Sequence, residues 1–190
     1  MNKDLFWQII EQAGISKGNS IGEGIRLIQG TLEQYSVEDI VKFQILFDAY
    51  KEAADYGLIM GLASILMGCT SYDECVDVFD YFLDVIVFYG KECYLKTLED
   101  PDSFVEVLTA EEQEEYDVEA LNCLANAPFV TKCPEREFRG KYESLILNDL
   151  EKRQLLKEIV YSPHISKNWD EVDELEDVLP RLFQVIDGEE

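Results

Sequence analysis

The sequence predicts a mainly α-helical fold, a compact irregular multi-helix domain with at most one short strand pair. Three observations lead there. Apolar residues recur at helical rather than alternating spacing, capping-box signals precede several of these runs, and period-2 strands, hairpin dipeptides and internal repeats are absent. The 190 residues read as one domain, 1–190, with a core over about 1–127 and a loop-rich C-terminal part over about 128–190. Leu, Ile, Val and Phe number 60, which excludes general disorder despite the charge.

The elements follow in order. Leu5, Phe6, Ile9 and Ile10 form the first helical stripe, with Asp4 near its start. The polar linker Gly14 to Asn19 breaks the chain. A second helix carries Ile21, Ile25, Ile28 and Leu32 on one face, although Gly22, Gly24 and Gly30 each cost about 1 kcal/mol relative to alanine. Ser36 and Asp39 resemble a capping box for a third helix bearing Ile40, Val41, Phe43, Phe47 and Tyr50. Leu58 to Met67 is apolar all round, so it belongs in the core. Ser71 with Glu74 caps a helix over about Tyr72 to Tyr89, whose Val76, Phe79, Leu83 and Ile86 face inward. Asp100-Pro101 marks a new start, and Thr109 with Glu112 caps a helix to about Ala127. Pro128 to Gly140 reads as a loop, and Tyr142 to Leu147 fits helix or strand equally. Asn148 with Glu151 caps a helix to about Tyr161, and Leu179-Pro180 breaks any helix in the acidic tail. Expected core positions include Phe6, Ile10, Phe43, Phe47, Leu62, Ile65, Leu66, Phe79, Leu83 and Ile86.

Charge narrows the function classes. Forty acidic against sixteen basic residues give a net charge of −24, a field that repels nucleic acids and anionic membranes. The N-terminus lacks a basic start followed by an apolar run of signal-peptide length, so no export signal is read. The longest uncharged run, Tyr56 to Tyr72, is seventeen residues, and its strictly apolar part is shorter than the ~20 a spanning helix needs, so it reads as a buried helix. A cytoplasmic location is expected. Cys69, Cys75, Cys93, Cys123 and Cys133 contain no Cys-x-x-Cys, so they read as buried or half-buried thiols rather than a disulfide framework or a zinc site.

A set of short segments carries a family resemblance. They are Phe6-Trp7 with Ile9-Ile10, Ser36-Val37-Glu38-Asp39-Ile40 with Phe43 and Phe47, Gly68-Cys69-Thr70, Phe79-Asp80-Tyr81-Phe82, Gly90-Lys91-Glu92-Cys93-Tyr94, Asp100-Pro101-Asp102-Ser103, Trp169-Asp170 and Leu179-Pro180-Arg181-Leu182. Together they resemble a bacterial family known as domain of unknown function 4240. Two departures stand out: Ser71-Tyr72-Asp73 and a few extra residues stand in place of a short Ser-Asp-Asp turn, and Leu83 and Val85 stand where the family tends to carry arginine and tryptophan. The resemblance implies a mostly helical, bacterial, cytoplasmic domain and brings no activity with it.

Three charge features are candidates for function. Asp73, Asp77, Asp80 and Asp84 fall at i, i+4, i+7 and i+11 on one helix face, with no Lys or Arg from Glu52 to Gly90. That stripe suits a basic protein partner or a hard cation, or is simply a solvated face opposite the Val76, Phe79, Leu83, Ile86 stripe. From Thr97 to Thr131 there are ten acids and no base. Eight of the sixteen bases lie between Lys132 and Lys167, where Arg136, Arg139 and Lys141 form a candidate anion or self-association patch.

Enzyme signals are thin, although carboxylate-pair catalysis needs no histidine. His164 is the only histidine, which rules out HExxH and any two-histidine metal centre. No Gly-x-Ser-x-Gly elbow, P-loop or dinucleotide fingerprint occurs, and no cofactor or metal site is implied. The reading is a protein–protein interaction module acting through an acidic surface, in its sharpest form an immunity or inhibitor protein against a basic toxin or nuclease. The alternative is an enzyme with a carboxylate or metal site on the Asp73–Asp84 helix face.

Overall fold

The structure, a computed structural model, describes residues 1–14, 18–107 and 124–187. In chain order the helices are α1 (Lys3–Ala13), α2 (Ile21–Leu32), α3 (Val37–Ala53), α4 (Gly57–Met67), α5 (Tyr72–Phe88) and α6 (Lys91–Glu99). A 3-10 helix over Pro101–Val107 follows, then α7 (Asn126–Val130), a 3-10 turn at Glu135–Glu137, α8 (Phe138–Leu145) and α9 (Asp149–Leu155). A further 3-10 helix spans Val172–Leu175 and α10 (Pro180–Asp187) closes the order. Helix holds well over half of the described residues and no strand occurs among them, so the fold is mainly α. The only extended pairing there is an isolated antiparallel bridge between Ser71 and Glu171.

The chain divides into two units. The first comprises residues 1–53, 87–91 and 116–158, and the second residues 54–86, 92–115 and 159–190. In the first unit, Asn2 accepts the Leu5 N–H to start α1, and Ser20 with Glu23 forms a capping box for α2. Ser36 and Asp39 bond reciprocally at the head of α3, and the N-terminal amine pairs with the same Asp39 carboxylate. That amine and Ser36 together hold the Asp39 carboxyl below its ordinary range. An aromatic cluster joins α1 to α3. The Phe6 ring lies 5.0 Å from Trp7, 5.1 Å from Phe43 and 5.5 Å from Tyr50, all of them buried.

Gly24 explains one of the three glycines in α2. A Cβ there would stand 2.5 Å from the Ala13 carbonyl oxygen and closer still to the Phe88 ring, whereas Gly30 has open space around it. Gly24→Ala should therefore lose about 1–3 kcal/mol to overpacking, net of its helix propensity. Gly30→Ala should gain about 0.5–1 kcal/mol, because only the propensity changes. Urea unfolding of the two variants checks the opposite signs, and a stabilised Gly24→Ala would show that α2 does not approach so closely.

In the second unit, α4 is buried from Leu58 to Ile65 as its apolar sequence requires. It ends on Gly68 at φ +70°, with Cys69 N–H donating to the Ser64 carbonyl (2.9 Å) and Gly68 N–H to the Ile65 carbonyl (3.3 Å). This left-handed cap suits glycine because no Cβ meets the carbonyl. The segment 165–175 packs along α4: Leu58 N–H donates to the Ile165 carbonyl (3.0 Å), and the buried Trp169 indole donates to the Gly57 carbonyl (2.8 Å).

Several expectations are corrected. Val76 is 49% exposed and Cys75 is buried in its stead, so the inward stripe of α5 runs Cys75, Phe79, Phe82, Leu83, Ile86. Leu66 is only half-buried, while the other nine expected core positions are buried. Glu74 does more than reach the Ser71 backbone: it also accepts from the Thr70 N–H (2.8 Å) and hydroxyl (3.0 Å). The new start at Pro101 is a 3-10 helix. Most of the helix expected from Thr109 lies outside the described residues.

Beyond it, Pro128 to Gly140 is not a loop. Pro128 lies in the first turn of α7, where its missing N–H would have had no partner, and Gly140 lies inside α8. Tyr142 to Leu145 is helix, with Ile146 and Leu147 outside it. The Asn148–Glu151 box is present, but α9 ends at Leu155 rather than near Tyr161. Pro180 opens α10 instead of breaking a helix, because proline at the first helical position forfeits no hydrogen bond.

Candidate functional site

The N-terminal half of α5 gives the candidate site its frame. Tyr72, Asp73, Val76 and Asp80 recur within a narrow arc of the 3.6-residue turn and are all exposed, with Glu74 beside them. Tyr72 is 40% and Val76 49% exposed, so the acidic face carries an apolar seam. Asp77 belongs to the helix, but its side chain lies outside the described residues. Asp84 falls on the same arc one turn further on, yet it is fully buried. From Phe82 to Gly90 every residue is buried, so the stripe leaves the surface where α5 enters the interior. The four aspartates do not form one solvent-facing row.

A second segment enlarges the acidic surface. The Ser71–Glu171 bridge is flanked by two backbone bonds, Tyr72 N–H to the Asp170 carbonyl and Val172 N–H to the Thr70 carbonyl, each 3.1 Å. The Tyr72 ring packs edge-on to Trp169 at 5.5 Å. Exposed Asp170, Glu171, Asp173 and Glu174 are thereby carried beside the head of α5. The Glu74 carboxyl lies below its ordinary range because Thr70 donates to it through both N–H and hydroxyl, so it stays ionised further into acid than an ordinary glutamate. No sequence signal announces this pairing, because Ser71 and Glu171 stand a hundred residues apart.

The basic patch is different in kind. Arg136 and Arg139 are exposed and Lys141 half-buried, but Glu135, Glu137 and Glu143 alternate with them along the chain. Arg139 is committed to Glu143 at 2.8 Å, four residues on. In the second unit Arg181 is held by three acids, Asp100 (2.5 Å), Asp102 (3.0 Å) and Glu106 (3.2 Å), and the last also takes Lys96. The Asp100–Ser103 and Leu179–Leu182 segments thus meet through Arg181, which sequence reasoning did not connect. His164 is exposed.

Among the described residues no group of three or more His, Cys, Asp or Glu side chains is placed to hold a metal ion. None of the described helices is long and apolar enough to cross a membrane. With −24 net charge on the chain, self-repulsion should weaken the fold at low ionic strength. The melting temperature should rise from very low salt to about 0.2 M, where the Debye length falls to roughly 7–8 Å. A flat or falling profile by differential scanning calorimetry would show that pairs such as those on Arg181 already neutralise the acids.

Residues 1–130 match the model of a family described as Protein of unknown function (DUF4240). The match covers the motif segments from Phe6 to Ser103 and stops short of those at 169–182. No curated protein and no solved structure matches the chain.

Proposed function

We propose that this chain, which belongs to the DUF4240 family, works by binding a basic protein through the acidic face at the head of α5. The observation that supports this reading is the exposed Tyr72–Val76 seam set among Asp73, Glu74, Asp80 and the 170–174 acids, in a stretch of chain with no Lys or Arg from 52 to 90. Acids alone suit a solvated face. Apolar side chains left exposed among them suit a contact in which charge steers the encounter and the seam is buried on docking. An immunity or inhibitor protein against a basic toxin or nuclease, acting in a bacterial cytoplasm, is the sharpest form of the proposal.

The test is a double replacement, Asp73→Asn with Asp80→Asn. The double variant should remain folded, with an unfolding transition as cooperative as the parent's. Capture of basic proteins at low salt should fall sharply against the parent, and the captured protein should associate more slowly with a flatter salt dependence. A control with the same charge change in the first unit, Glu11→Gln with Glu33→Gln, should bind as the parent does. Equal loss in control and double variant would reduce the effect to net charge and sink the reading.

A further inference from the structure

We propose that Cys69 and Cys75 form a reversible disulfide across the junction of α4 and α5, made by exchange with a low-molecular-weight disulfide. Both cysteines are fixed against the last two turns of α4. The left-handed cap at Gly68 brings Cys69 back onto Ser64, whose carbonyl accepts the Cys69 N–H (2.9 Å). The Cys75 Sγ, in the first turn of α5, bonds the Met60 carbonyl (3.5 Å). Met60 and Ser64 are four residues apart, on one face of α4, so the Cys69 backbone and the Cys75 thiol are anchored to the same face, and the Cys69 side chain lies within hydrogen-bond reach of Cys75. Burial first, and then Cys69 beside it, push the Cys75 thiol up to about 11.

Their environments divide the work. Cys69 is half-buried and reachable, whereas Cys75 is fully buried and mostly protonated at neutral pH. The Cys69 thiolate attacks the external disulfide, forms a mixed disulfide and releases one small thiolate. Cys75 then loses its proton to solvent and attacks the Cys69 sulfur, expelling the second small thiolate. In sum the protein pair loses two protons and two electrons, and the external disulfide is reduced to two thiols. The product closes a turn of five intervening residues, Thr70 to Glu74, which contains the head of the acidic face.

The experiment uses the full chain, folded, with oxidised glutathione as the probe, followed by alkylation of remaining thiols and cleavage after glutamate. Glu74 lies between the two cysteines, so cleavage there separates them unless a disulfide joins the fragments. The expected result is a joined pair that reductant separates, with Cys93 and Cys133 still alkylated. In Cys75→Ser the exchange should stop at a glutathione adduct on Cys69, and in Cys69→Ser residue 75 should stay alkylatable only after unfolding. Accumulation of the Cys69 adduct in the parent, or a bridge that forms only in denaturant, would overturn the proposal. The parent chain alone decides these outcomes, whether or not either variant folds.

Discussion

Phe43→Ala is expected to cost about 3–5 kcal/mol of unfolding free energy, the largest single-site loss foreseen for the first unit. Phe43 is completely buried, and its ring meets that of Phe6, which in turn stacks on Tyr50 with an interplanar angle of 18°. Trp7 closes the group at 4.6 Å from Tyr50. Removing Phe43 takes away its transfer from water and opens a void between two helices that rigid rings cannot easily fill. A domain of ordinary stability has only about 5–15 kcal/mol in all, so against about 10 kcal/mol the variant should unfold at roughly half to two-thirds of the parent's urea midpoint. Phe43→Leu, which keeps most of the volume, should lose well under half as much. A Phe43→Ala loss below about 1 kcal/mol would mean that the ring is not the packing centre of α1 on α3.

Legibility tracked the locality of the cause. The Ser36–Asp39 and Asn148–Glu151 boxes are local hydrogen bonds, so the sequence announces them and the structure has them. The apolar stripe of α2 and the all-round apolar α4 were readable for the same reason. What escaped depends on neighbours distant in sequence. Val76 and Cys75 sit on either side of the inward direction, and periodicity alone cannot say which of two adjacent small apolar residues a later segment covers. Asp84 keeps the spacing of a surface stripe, but every residue from Phe82 to Gly90 is buried. Pro128 and Pro180 look like breakers because the sequence does not reveal whether a proline opens a helix or interrupts one.

The acidic surface was half legible. Its α5 portion could be read from the i, i+4 pattern, whereas the 170–174 portion depends on a bridge a hundred residues away. Asp102 stood out only as part of the Asp100-Pro101-Asp102-Ser103 segment, and its capping role was hidden because it is one acid among the ten of the 97–131 stretch.

Asp102→Ala should be the most damaging charge removal in the second unit, at about 2–4 kcal/mol. The Asp102 side chain is 7% exposed and satisfies three donors at once. Its carboxylate accepts the Arg181 N–H (3.0 Å), the Leu182 N–H (2.9 Å) and the Arg181 Nε (3.0 Å). Two of these are backbone donors in the first turn of α10, which Asp102 caps from far along the chain, and loss of a cap costs about 0.5–2 kcal/mol. The remainder comes from a guanidinium that loses its most buried partner. Arg181 is 41% exposed and retains Asp100 and Glu106, so the full penalty of an orphaned buried charge does not apply. Arg181→Ala leaves Asp102 with both backbone donors and should therefore cost less, about 1–2 kcal/mol. Asp102→Asn should fall between them, since an amide offers one oxygen where two were used. The order Asp102→Ala, Asp102→Asn, Arg181→Ala in decreasing loss can be read from urea unfolding. Should Arg181→Ala prove the worst of the three, the ion pairs rather than the cap would be what holds α10.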